Sequence, residues 1–118
     1  MTKKTTFKAV HFKPLASGLW VIEPVELPTK VGPKVEAIQK LVDGYFECRP
    51  DKVGRKGVLV YVNDEALVRG ESRGFCLGSG LPFFGAAVIV STKDNADLEL
   101  SKKQLGNAVR IFGSRIPS

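Results

Sequence analysis

Histidine occurs once in this chain, at His11, and cysteine only twice, at Cys48 and Cys76. A structural zinc site needs four donors, and two thiols with no histidine near them cannot supply it. Their wide separation predicts two reduced, buried cysteines instead. No run of eighteen apolar residues occurs, which excludes a membrane-spanning helix. The opening MTKKTTFK leads into a mixed strand rather than an apolar signal core, so a cytoplasmic protein is expected. The sequence also lacks G-x-S-x-G and any G-K-[ST] ending: Gly78-Ser79-Gly80 imitates only part of either. A lone histidine on a strand is most often structural or exposed, and no cysteine has an activating partner nearby. These absences leave no assembled nucleophile, base or metal centre, and the expectation is a protein that is not an enzyme and carries no cofactor.

What the chain does have is positive charge. Eighteen Lys and Arg against twelve Asp and Glu give +6 over 118 residues, and the first nineteen residues hold four lysines and no acid. That balance favours an anionic partner. Length predicts one domain, residues 1–118, with 1–6 as a polar tail.

Phe7 to Lys13 and Leu19 to Glu26 read as strands, with Trp20 and Ile22 on one face. Val35, Ile38, Leu41 and Val42 recur on one helical face, which places a helix over 33–43 with Pro33 at its start and Gly44 past its end. Tyr45 to Arg49 alternates: Phe46 and Cys48 should face the core, and Tyr45, Glu47 and Arg49 the other side. Pro50 to Gly57 reads as a turn before the apolar strand Val58 to Asn63, a hairpin arrangement. The stretch 70–85 carries five glycines in sixteen residues, a loop shaped for close contact, and runs into an apolar strand from Phe83 to Val90. Ser101 and Gln104 form a capping box for a second helix, with Leu105, Ala108, Val109 and Phe112 on its apolar face and Gly113 at its end. The sum is an α+β fold, a mostly antiparallel sheet of about five strands with two helices packed on one face.

AIQKLVDGYFECR at 37–49 and GVLVYVNDEALVRG at 57–70 carry a resemblance to small phage-borne and plasmid-borne domains of unknown function. The shared pattern is a helix ending L-V-x-G-Y-x-E, a strand running into N-[DE]-E, a loop, and a strand like FFGAAVIVSTKD. It extends over about residues 35–95 and implies a phage accessory protein, in the host-cell cytoplasm, without implying any chemistry. Size, basicity and element pattern also resemble a single-stranded-DNA-binding RNA polymerase cofactor of podoviruses, although the P-P-N usual after the VNDE strand is replaced here by GESRGFCLGSG.

The cations fall into three clusters: Lys3, Lys4, Lys8 and Lys13; Arg49, Lys52, Arg55 and Lys56; and Arg69 with Arg73. Phe7 and Phe12 accompany the first, Tyr45 the second, and Phe75, Phe83 and Phe84 the third. A basic track with aromatic faces is how single strands are held without base-specific contacts. The expectation is a single-stranded nucleic-acid-binding protein with DNA preferred to RNA. It is expected to be a homo-oligomer acting at transcription or replication, with host or phage RNA polymerase as a further partner. Tyr45 is its best stacking residue. The competing reading is a phage interaction protein that inhibits a host defence factor, or that sequesters a small anionic ligand in the glycine-rich loop.

Overall fold

The computed structural model describes residues 5–112, so the calls on Lys3, Lys4 and Gly113 fall outside it. Five strands form the main sheet: β1 (Thr6–Pro14), β2 (Trp20–Pro28), β3 (Phe46–Val53), β4 (Lys56–Asn63) and β7 (Ala87–Ser91). Their order is β2-β1-β7-β4-β3, with every pairing antiparallel. A smaller sheet, ordered β6-β5-β8, is built from β5 (Gly74–Cys76), β6 (Pro82–Phe84) and β8 (Arg110–Phe112). Two helices complete the elements, α1 (Val31–Val42) and α2 (Lys102–Ala108).

β7 sits at the centre because its Val88, Ile89 and Val90 are apolar on both faces, and all three are buried. On one side of the sheet Phe7, Ala9, Leu27, Val88 and Val90 pack with Ile38 and Val42 of α1. On the other, Val10, Phe12, Val58, Val60 and Ile89 pack with Phe75 and Phe83 of the small sheet and with Leu98. Phe75 is the hub of this second core, 4.6 Å from Phe12, 5.3 Å from Phe83 and edge-on to Trp20 at 5.9 Å.

Leu105 of α2 packs against the second core, whereas α1 belongs to the first. The expected placement of both helices on one face is therefore not met. α2 is also shorter than its apolar spacing suggests: Val109 is already extended at φ −103, and Arg110–Phe112 becomes the strand that pairs with β5. Gly106 and Asn107 weaken the helix, and Ile111 suits a strand. The capping box at Ser101 and Gln104 is present as expected.

Three further boundaries differ. α1 begins at Val31, so Pro33 is its third residue rather than its first. The apolar run from Phe83 to Val90 divides between two sheets, because Gly85 takes φ +80 and turns the chain between β6 and β7. β3 extends through Pro50 to Val53, which shrinks the expected turn to Gly54-Arg55. Proline is tolerated there because β3 is an edge strand and needs no outward donor. Gly54 at φ +61 supplies the positive φ that a two-residue hairpin turn demands. No helix among the described residues is long and apolar enough to cross a membrane.

Candidate functional site

The residues of the L-V-x-G-Y and N-[DE]-E patterns meet at one joint. Asn63, at the end of β4, is buried, and its Nδ2 donates to the carbonyls of Val42 at 3.0 Å and Asp43 at 3.1 Å. Its Oδ1 accepts from the Glu65 amide at 2.7 Å. One side chain thus caps the last turn of α1 and fixes the turn that follows β4. Two more donors serve the same helix end: His11 gives Nε2–H to the Leu41 carbonyl at 3.0 Å, and Arg69 gives Nη1–H to the Asp43 carbonyl at 3.3 Å. Asp43 ends α1 in the left-handed region at φ 69. At Gly44 a Cβ would lie 3.0 Å from Asn63 Nδ2, so the glycine keeps the joint closed.

A cleft of about 300 Å³ opens over this joint. Its charged lining is Lys13 from the end of β1, Lys40 from α1, Asp43 just past the end of α1, and Arg69, Glu71 and Arg73 from the loop after β4. Arg73 holds Glu71 through Nε at 2.7 Å and Nη2 at 3.2 Å, and it also donates to the Leu15 carbonyl. Arg69 pairs with Glu65 at 3.2 Å, and both side chains are more than half exposed. Such an exposed pair is worth about 0–1 kcal/mol, so the guanidinium can turn to a ligand at little cost. Lys13 and Lys40 have no ion-pair partner among the described residues. Tyr45 is next to Gly44, and the residue is 72% exposed. The cleft is concave and its charged lining is mostly cationic, an arrangement suited to holding an anion.

The three expected clusters do not form one track. Lys8 and Lys13 have opposite parity on β1 and leave the sheet on opposite faces. Lys8 is engaged with Glu99 at 2.9 Å, a bond that raises its pKa through the hydrogen bond and the neighbouring charge. Arg49 lies on the buried ring of Phe83, 3.9 Å from its centroid, and donates to the Pro82 carbonyl at 2.6 Å. Its role is to hold the small sheet against β3. Lys52, Arg55 and Lys56 belong to the far end of the hairpin, where Lys56 donates to the Glu99 carbonyl at 3.1 Å. β4 separates them from the cleft by roughly 23 Å. Only Lys13, Arg69 and Arg73 of the described candidates come together, joined by Lys40.

The aromatic half of the expectation narrows similarly. Phe7, Phe12, Phe75 and Phe83 are core residues, Phe84 is half-buried, and Tyr45 is the exposed ring. It precedes β3 rather than sharing a strand face with Arg49. Cys48 is exposed rather than buried, because it lies on the edge strand beyond the cover of α1, and Cys76 is half-buried; both are free. The glycine-rich loop is latched at Ser79, whose amide and hydroxyl donate to Asp51 at 2.9 and 2.6 Å. Gly78 donates to the Lys52 carbonyl at 2.8 Å, and a Cβ there would come within 2.5 Å of the Lys52 side chain. Close approach in this loop is to β3.

Lys40 carried no sequence signal beyond a cation in the last turn of a helix, which the helix dipole explains equally well. A larger groove of about 580 Å³ lies between β1, β2 and Leu98 to Leu105. Its charges, Lys8, Glu23, Glu99 and Lys102, balance, so nothing there selects an anion. Among the described residues no cluster of His, Cys, Asp and Glu could hold a metal ion.

Fold and cleft together describe a small α+β protein with a cationic recess at one end of an antiparallel sheet. Residues 19–113 match the model of a domain of unknown function, DUF3846, and the chain belongs to that family. No curated protein and no solved structure matches it.

Proposed function

We propose that this chain is a non-enzymatic single-stranded nucleic-acid-binding protein, DNA being preferred, and that the strand is held at the α1–β4 joint. The observation that carries the reading is the meeting of cations from three separate parts of the chain, Lys13, Lys40 and the Arg69–Arg73 loop, on one cleft; exposed Tyr45 follows the Asp43-Gly44 end of α1 that lies under it. Phosphates contact the cations, and a base stacks on Tyr45, a contact worth about 1–3 kcal/mol. A phage or plasmid setting, RNA polymerase as a further partner and self-association through a free surface belong to the same reading.

Titration of a single-stranded oligonucleotide at several salt concentrations tests it. Each phosphate contact on a single strand contributes about 0.7 to the slope of log K against log salt. Lys13→Ala with Lys40→Ala should flatten that slope by about 1.4, and Tyr45→Ala should weaken binding at every salt concentration. Lys52→Ala with Arg55→Ala should change little. Absence of binding at low salt, or an equal loss from both double variants, refutes the assignment.

A further inference from the structure

The shape of the cleft distinguishes two ways of meeting a nucleic acid. A strand passing through needs cations spread along an open track, since each phosphodiester carries one charge and the next lies several ångströms on. Here the cations line a recess of about 300 Å³, at the small end of ligand-sized cavities. The Arg73–Glu71 pair closes one part of it, held by two hydrogen bonds between the side chains. Asp43 stands at the end of α1 with its side chain exposed and takes away one charge. Lys13, Lys40 and a released Arg69 remain as donors, more positive charge than one diester can use. A phosphomonoester carries about −1.5 to −2 near neutrality and offers three acceptor oxygens. Three donors from three parts of the chain match that count.

We infer that the cleft binds a terminal phosphomonoester, so that the protein takes the phosphorylated end of a single strand rather than its interior. This rests on the nucleic-acid reading above. The same chemistry is offered by a free nucleotide, and the two sources are separable by experiment. Lys13 and Lys40 bind the dianion, and Arg69 exchanges Glu65 for it. Tyr45, one residue from the Gly44 that faces Arg69, stacks on the terminal base.

The test uses the full chain and thymidine dodecamers labelled internally, carrying a 5′-phosphate, a 3′-phosphate or neither, with thymidine monophosphate as a fourth probe. A terminal phosphate should tighten binding about tenfold or more, as charge-assisted hydrogen bonds of this kind do. That gain should vanish in Lys13→Ala with Lys40→Ala. It should also shrink as pH falls from about 7.5 to about 5.5, through the second ionisation of the phosphate near 6. Equal affinity for all three dodecamers overturns the inference and leaves strand binding standing. Binding of the mononucleotide with none of any dodecamer supports the phosphomonoester site and overturns the strand reading. A terminal-phosphate gain that survives in the double lysine variant overturns the location, and no binding of any probe overturns both.

Discussion

Asn63→Ala tests the joint on which the cleft is built. The substitution removes three hydrogen bonds at once, to the Val42 carbonyl, the Asp43 carbonyl and the Glu65 amide. The bond to Val42 is buried, and leaving that acceptor without its donor costs about 1–3 kcal/mol. The other two are partly exposed. Asp43 keeps Arg69 as a donor, so these losses come to about 0.5 kcal/mol each. The total is about 2–4 kcal/mol, a large share of the 5–15 kcal/mol available to a domain. Urea denaturation should show it as a lower midpoint with an unchanged slope, and melting should fall by roughly 10 °C. Asn63→Asp should cost more, since a carboxylate would then face two carbonyl oxygens. A loss under about 0.5 kcal/mol in Asn63→Ala, or an Asp variant as stable as the parent, would refute the capping role.

Three further outcomes check other parts of the structure. Gly78→Ala forces a methyl group into Lys52, and should destabilise by about 1–3 kcal/mol in urea unfolding while exposing residues 77–81 to proteolysis. Arg49→Ala removes the cation from Phe83 and the bond to Pro82, at a cost of about 1–3 kcal/mol, yet oligonucleotide affinity should stay the same; a selective loss of binding would return Arg49 to the site. Partial desolvation against β4 raises the pKa of the otherwise exposed Cys48 thiol above its ordinary 9.0, and desolvation raises that of the half-buried Tyr61 phenol above 10.0, the latter helped by Cys48. Both folded pKa values exceed the unfolded ones, so the stabilisation is complete below about pH 9 and is lost as pH rises through the folded values. Unfolding midpoints should be flat up to that pH and decline above it, and Tyr61→Phe should reduce the decline.

Local pattern carried much of this fold. The spacing of Val35, Ile38, Leu41 and Val42 marks α1 because a helix under a sheet must bury one stripe, and two of those four are fully buried. The Ser101–Gln104 box marks the start of α2 for a reason equally local. Its end was illegible because pairing of Arg110–Phe112 with β5 is a contact across more than thirty residues, which periodicity cannot register. Cys48 was misread for a related reason: alternation tells which face a residue takes, not whether the strand lies at the centre or the edge. Arg49 shows the same limit on chemistry. Its charge suggested solvent, and only the packing of β6 over β3 provides the ring on which it rests.

The division of charge between the two ends of the sheet follows from what each end must hold in place. At the hairpin end the irregular segment after β7 has to be fastened, and cations do that: Lys8 takes Glu99, Lys56 takes the Glu99 carbonyl, and the Lys8 carbonyl accepts from Leu98. At the opposite end other side chains do the fastening. Asn63 and His11 cap α1, Arg73 is tied to Glu71, and neither Lys13 nor Lys40 is required for any of it. Charge gathered over a recess, with no ion-pair partner for Lys13 or Lys40 among the described residues, is what the proposed anion binding rests on. Neutralising it with Lys13→Ala and Lys40→Ala should therefore cost no more than about 1 kcal/mol, the loss of Lys40 from the C-terminal turn of α1 included, while abolishing binding.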